Sequence, residues 1–152
     1  MSTGVERKWM DVALEQARLA ASEQEVPVGA VVVYDDRVIG RGRNRKESER
    51  DPTAHAEMTA IRQAAATLGR WRLDGCTLYA TLEPCPMCMG ATISARIDRL
   101  VFGCTDPKAG AVVSLYEMAN DPRLNHRVEV LQGVGAEEAA ELLTSFFRRV
   151  RG

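Results

Sequence analysis

The chain has 152 residues, 45% hydrophobic and 27% charged, with 20 Lys and Arg against 21 Asp and Glu. These values suit one soluble globular domain over residues 1–152 and exclude a disordered chain and a collagen-like chain. The longest apolar run, Val26 to Tyr34, is broken by Pro27 and Gly29 and falls far short of the roughly 20 residues of a membrane span. A net charge of −1 argues against non-specific coating of nucleic acid, but two basic clusters stand out locally. Arg41, Arg43, Arg45, Lys46 and Arg50 form one, and Arg148, Arg149 and Arg151 the other.

Val5, Trp9, Val12, Ala13, Ala17, Ala20 and Ala21 recur at helical spacing between charged residues. This predicts a surface helix with one buried face, capped by Ser2 or Thr3. Val28–Tyr34 is continuously apolar and predicts a strand buried on both faces. Asp35-Asp36 makes a turn and Arg37–Arg43 a second strand, giving a hairpin. A polar loop, Asn44–Asp51, ends at Pro52. Thr53–Leu68 is expected to be helical, with Ala54, Met58, Ile61, Ala65 and Leu68 on one stripe and Gly69 as the stop. Thr77–Leu82 is a third strand, and Pro86–Arg96 a helix with proline in its first turn. Arg99–Cys104 is a fourth strand, Gly110–Ala119 a short helix, Val128–Leu131 a fifth strand and Ala136–Arg149 a final helix. The order α-β-β-α-β-α-β-α-β-α predicts an α/β fold, a mixed five-stranded sheet with helices on both faces and right-handed crossovers.

Met1–Lys8 leads into the amphipathic pattern and not into an apolar secretory run, so a cytoplasmic location is expected. The four cysteines are then read as metal ligands or inert thiols rather than disulfides.

Two short motifs carry chemistry: His55-Ala56-Glu57 and Pro84-Cys85-Pro86-Met87-Cys88, each at the start of a predicted helix. Zinc takes four ligands and favours nitrogen and thiolate donors; His55, Cys85 and Cys88 supply three. A fourth position left to water defines a catalytic site, because water there ionises near neutral pH. Three residues apart on a first turn, Cys85 and Cys88 can present both sulfurs to one side, and helix N-termini favour thiolate. Glu57 can reach forward off the helix end and carry a proton from water to substrate without binding metal. Two rivals stand beside this. One is a closed structural zinc completed by Cys76, Cys104 or His126, and the other a redox pair of Cys85 and Cys88. His126 has no motif partner and reads as structural.

H-x-E followed by P-C-x-x-C resembles the zinc-dependent cytidine and deoxycytidylate deaminase superfamily. The likeness narrows at Val26–Val31, Asn44-Arg45, Asp51–Glu57, Thr81–Cys88, Phe102-Gly103, Asp106–Ala111, Asn125–Val128 and Phe146–Arg148. There the chain is similar to the bacterial tRNA-specific adenosine deaminases, over nearly its whole length. The resemblance implies a three-layer α/β/α cytidine-deaminase-like fold. It implies hydrolytic conversion of adenosine to inosine at wobble position 34 of a tRNA anticodon. It also implies one zinc per subunit and a homodimer whose two subunits both contact tRNA. On it, His55, Cys85 and Cys88 match the zinc ligands and Glu57 the proton shuttle. Asn44 matches a hydrogen-bond partner of the flipped base, and Asp106 and Lys108 a loop bordering the nucleotide. Arg148 and Arg149 match a region near the anticodon loop. Phe146 and Phe147 are neighbours on a helix and cannot both face inward equally; Phe147 is taken as the one that meets RNA or a partner.

Two other functions compete. A small-molecule deaminase of guanine, cytosine or a nucleoside would share the zinc chemistry, and only the pocket border and the basic segments favour RNA. A non-catalytic zinc module would not need Glu57.

Overall fold

The computed structural model describes residues 4–151. The elements are α1 (Gly4–Ser22), β1 (Gly29–Tyr34), β2 (Arg37–Arg43), α2 (Lys46–Glu49), α3 (Ala56–Leu68), β3 (Thr77–Leu82), α4 (Pro86–Ser94), β4 (Arg99–Cys104), β5 (Glu129–Gln132) and α5 (Ala136–Arg151). One five-stranded sheet runs in the order β2-β1-β3-β4-β5. β1 is antiparallel to β2 and β3, while β3–β4 and β4–β5 are parallel. This is the mixed sheet the element order calls for. The β1–β2 hairpin turns at Asp35 and Asp36, both at positive φ, a backbone hand that suits the strand twist.

Side-chain alternation explains the two layers of helices. Ala30, Val32, Leu78, Ala80, Leu100 and Phe102 face a core completed by Ala60, Ile61 and Ala64 of α3 and by Met89 and Ile93 of α4. Val31, Val33, Tyr79 and Val101 face the opposite core, with Trp9, Met10, Ala13 and Leu14 of α1 and Ala139 of α5. α3 lies so close over β2 that a Cβ on Gly42 would fall far inside contact with the Ala56 carbonyl. Glycine there lets the N-terminal end of α3 settle onto the sheet edge.

Several boundaries depart from the sequence expectations, each for a local reason. The cap assigned to Ser2 or Thr3 lies outside the described residues. The helix expected from Thr53 begins at Ala56, because the Thr53 N–H and hydroxyl both donate to the Asp51 carboxylate, closing a turn. The polar loop after β2 contains the short helix α2. α4 stops at Ser94, and Arg96 stands at positive φ. β5 begins one residue later than expected, and α5 runs on to Arg151.

The helix expected over Gly110–Ala119 does not form; only a 3-10 turn, Met118–Asn120, is present there. The N–H groups of Val112, Val113 and Ser114 donate to the Glu83 carboxylate. The Ala111 carbonyl, which a helix would pair with Leu115, accepts from Met118.

Candidate active site

β3 ends at Leu82, and the chain passes through Glu83 and Pro84 into α4 at the carboxyl end of the parallel strands, where ligands of open α/β sheets bind. The N-termini of α3 and α4 meet there. His55 is the N-cap residue of α3 and Cys85 that of α4, both with extended backbone and neither side chain spent on capping its own helix. Both side chains are therefore free to project from the helix ends. Cys88 lies in the first turn of α4 and is fully buried.

His55 Nδ1 is 3.6 Å from Cys85 Sγ and 3.4 Å from Cys88 Sγ. The three donor atoms all lie within 4.8 Å of one another. Zinc–sulfur bonds of about 2.3 Å and zinc–nitrogen bonds of about 2.0–2.1 Å at a tetrahedral angle require N···S separations of about 3.5–3.6 Å. The donor set therefore fits a metal in both chemistry and spacing. Among the described residues this group comprises these three ligands. Cys76 is buried with its sulfur toward the Asp74 carbonyl, Cys104 turns to the Thr81 carbonyl, and His126 meets the Ile97 carbonyl at 2.8 Å. The three candidates for a fourth protein ligand are thus engaged elsewhere.

The thiols and the imidazole stand within hydrogen-bond reach of one another and shift each other's acidity. A hydrogen bond from the Cys88 thiol, opposed by burial and helped by His55, holds Cys85 down at about 3. The hydrogen bond with Cys85 raises His55. Glu57, second residue of α3, is 4% exposed and not a member of the ligand group. Burial pushes its carboxyl up to about 7, against the pull of His55. A carboxyl that gains and loses its proton near neutrality suits acid–base transfer.

The surrounding pocket is lined by Val26, Val28, Asn44, Lys46, His55, Glu57, Leu82, Glu83, Cys85, Asp106 and Ala109 among others. Asn44 is buried; its Nδ2 donates to the Val26 carbonyl at 3.2 Å, and its Oδ1 accepts from the Lys46 N–H at 3.2 Å. One amide proton and one lone pair remain for a ligand. Asp106 accepts from the N–H groups of Lys108 and Ala109 through one carboxylate oxygen.

Of the residues singled out from the sequence, Asn44, His55, Glu57, Cys85 and Asp106 line one pocket, with Cys88 buried beside it. Lys108 is exposed on the adjoining turn and does not line the pocket. Phe147 and Arg148 line a separate groove on α5 with Leu143, Thr144 and Arg151, and the Arg149 guanidinium lies over the Phe146 ring. Phe146 is 6% exposed and Phe147 38%, so the pair divides between core and surface. The first basic cluster is partly neutralised: Arg43 pairs with Glu23 through two hydrogen bonds and Arg45 with Glu49. Sequence reasoning passed over Val26, Lys46, Glu83 and Ala109 as pocket residues. Glu83 carried one signal, a carboxylate between an apolar strand and Pro84-Cys85.

The family model of the MafB19-like deaminases matches residues 5–151. A tRNA-specific adenosine deaminase of Bacillus subtilis (strain 168) is 46% identical over 143 residues, 94% of this chain and 89% of that protein. A solved structure from studies of A-to-I editing by tRNA:A34 deaminases at the wobble position is 48% identical, with a TM-score of 0.86 over 90% of this chain and 99% of that one. A guanine deaminase from Nitrosomonas europaea is 25% identical, with a TM-score of 0.76 over 96% of this chain and 85% of that one. The chain belongs to the MafB19-like deaminases and to the family of tRNA-specific adenosine deaminases. Its α/β sheet is the cytidine-deaminase-like fold expected from the sequence.

Proposed function

We propose that residues 1–152 form one deaminase domain that hydrolyses adenosine to inosine and ammonia at wobble position 34 of a tRNA anticodon, acting as a cytoplasmic homodimer with one zinc per subunit. The observation that carries this is buried Glu57 beside the His55, Cys85 and Cys88 donors, in a pocket walled by Asn44 and Asp106. The close identity to tRNA-specific adenosine deaminases supports the choice of base and of RNA.

His55 Nδ1 and the sulfurs of Cys85 and Cys88 would hold the zinc. Bound there, zinc supplies Lewis-acid activation, lowering the pKa of a coordinated water toward neutrality. Glu57 takes a proton from the attacking water and passes it to the ring nitrogen as oxygen bonds to C6. It then takes the second proton to the departing amine, so that adenosine and water give inosine and ammonia. Asn44, fixed by Val26 and Lys46, offers its free amide proton and lone pair to the edge of the flipped base. Asp106 and the turn carrying Lys108 border the nucleotide. An anticodon loop already presents unstacked bases, so extruding one costs less than it would in a duplex.

The groove on α5 supports an RNA substrate. Exposed Phe147 offers a stacking face, and Arg148, with Arg149 on the same helix, offers phosphate contacts. A second copy of the chain suits the exposed apolar residues Val113, Leu115 and Tyr116, which follow the pocket border in sequence. No described helix is long and apolar enough to cross a membrane.

The test is direct. Zinc-loaded protein incubated with an anticodon stem-loop carrying adenosine at position 34, and with total tRNA, is expected to give inosine at that position on sequencing. Efficient turnover of free guanine with an untouched stem-loop would replace the RNA substrate by a small base, the alternative that the Nitrosomonas europaea structure keeps in play.

A further inference from the structure

Glu83 is a carboxylate at 2% exposure with no basic partner among the described residues, a costly burial unless its oxygens are saturated with donors. The donors all come from one later segment. Oε1 accepts from the Asp106 N–H at 2.9 Å and from the Ser114 hydroxyl at 2.6 Å. Oε2 accepts from the N–H groups of Val112, Val113 and Ser114 at 3.0, 2.8 and 3.0 Å. The two ends of residues 106–114 are thus tied to a single oxygen, and the N–H groups of the last three residues, 112–114, to the other. A Cβ on Gly110 would run into the same carboxylate, and its three nearest atoms would all belong to Glu83. The backbone is packed around this side chain with no room for a methyl group.

The segment so organised is a wall of the active pocket, through Asp106 and Ala109. The group that holds it stands two residues before Cys85, on the chain entering α4. One short stretch therefore carries both a candidate metal-ligand residue and the anchor of a wall of the same pocket. Charge suits the task better than an amide would. A carboxylate offers only acceptors, whereas a glutamine would turn an N–H2 group toward backbone donors.

We propose that Glu83 is a positioning residue: its carboxylate replaces a helix or strand ladder for residues 106–114 and sets how far the Asp106–Ala109 wall stands from Cys85. This rests on the deaminase function proposed above, since the wall matters for the base that enters the pocket. Glu83 borders the pocket, but its oxygens are taken up by the Asp106 N–H, the N–H groups of residues 112–114 and the Ser114 hydroxyl, so it acts through that backbone. Its loss should therefore appear first in substrate affinity and in the mobility of the segment.

Two variants of the zinc-loaded enzyme test it. Glu83→Gln keeps shape and removes the charge. Gly110→Ala keeps the charge and crowds the carboxylate, so it answers the question if Glu83→Gln fails to fold. Both are expected to keep one zinc per chain. Hydrogen exchange at residues 106–114 should accelerate by about tenfold or more while the rest of the sheet stays protected. KM for the stem-loop should rise about tenfold, with kcat changing less than KM. Unchanged exchange in Gly110→Ala overturns the proposal. So does accelerated exchange with KM unmoved, and so does loss of zinc as the main effect, which would make Glu83 a support of the metal site. Wild-type turnover of the stem-loop tests the function itself; variant-to-wild-type ratios and exchange rates test Glu83.

Discussion

Glu57 and His55 stand two residues apart on one helix end and take different parts in the proposed mechanism, because burial and geometry separate them. Glu57 is buried, carries its proton near neutrality and lies outside the ligand group. His55 projects its Nδ1 to the two sulfurs. Glu57→Gln keeps the shape but cannot accept a proton. It is expected to retain zinc and fold while deamination falls by about 10²–10⁴-fold or more, as measured by single-turnover kinetics with metal analysis. Full activity in that variant would remove Glu57 from the mechanism. His55→Ala should instead lose metal first and activity with it. At this scale the sequence was informative wherever spacing alone carries the chemistry, as in H-x-E and C-x-x-C. It said little about Lys46 or Glu83, whose place depends on chain brought from elsewhere.

Among the elements, the strands were the most legible. Arg37–Arg43, Thr77–Leu82 and Arg99–Cys104 stand at the bounds expected from apolar runs and turn residues. Helix starts were less so, since side chains such as Asp51 divert the first donors. α5 carries a test of the RNA interface. Replacing Arg148 and Arg149 by Ala should raise KM for the stem-loop and flatten its salt dependence, with zinc content unchanged, because phosphate contacts release counterions. Equal salt slopes in variant and wild type would place the phosphate contacts elsewhere. α2 carries a test of stability. Burial pushes Glu25 up, but the Ser48 hydroxyl and the N–H groups of Ser48 and Glu47 outweigh it and hold the carboxyl below its ordinary 4.5. A lowered carboxyl contributes stability that is present above about pH 4.5 and lost as pH falls through its folded value. Glu25→Gln should therefore cost about 1–3 kcal/mol at pH 7 in chemical denaturation, a gap that narrows as the pH is lowered below that range. A gap independent of pH would show that the ionised form of Glu25 is not what matters.

For the whole molecule, the decisive event is the meeting of two helix N-termini at one end of the sheet. Assembly beyond one chain is open to direct measurement. The wild-type protein is expected to sediment as a dimer, and Leu115→Glu, which puts a charge on the exposed Val113–Tyr116 stretch, to sediment as a monomer. A wild-type monomer that edits the stem-loop at full rate would remove the dimer from the mechanism. The amino-acid sequence by itself determined the strand and helix order, the two-sided burial of β1, the hairpin at Asp35-Asp36 and which residues are the candidate metal ligands. All of these are set by contacts within a few residues or by the period of apolar side chains. Only the tertiary structure decided that His55 lies within 3.6 Å of Cys85, thirty residues on, and that the Gly110–Ala119 segment wraps a carboxylate instead of coiling into a helix. In that segment the backbone donors had a choice between a local carbonyl and a charged acceptor more than twenty residues earlier in the chain. The fold brought the charged acceptor within reach, and the stronger hydrogen bonds to it prevailed.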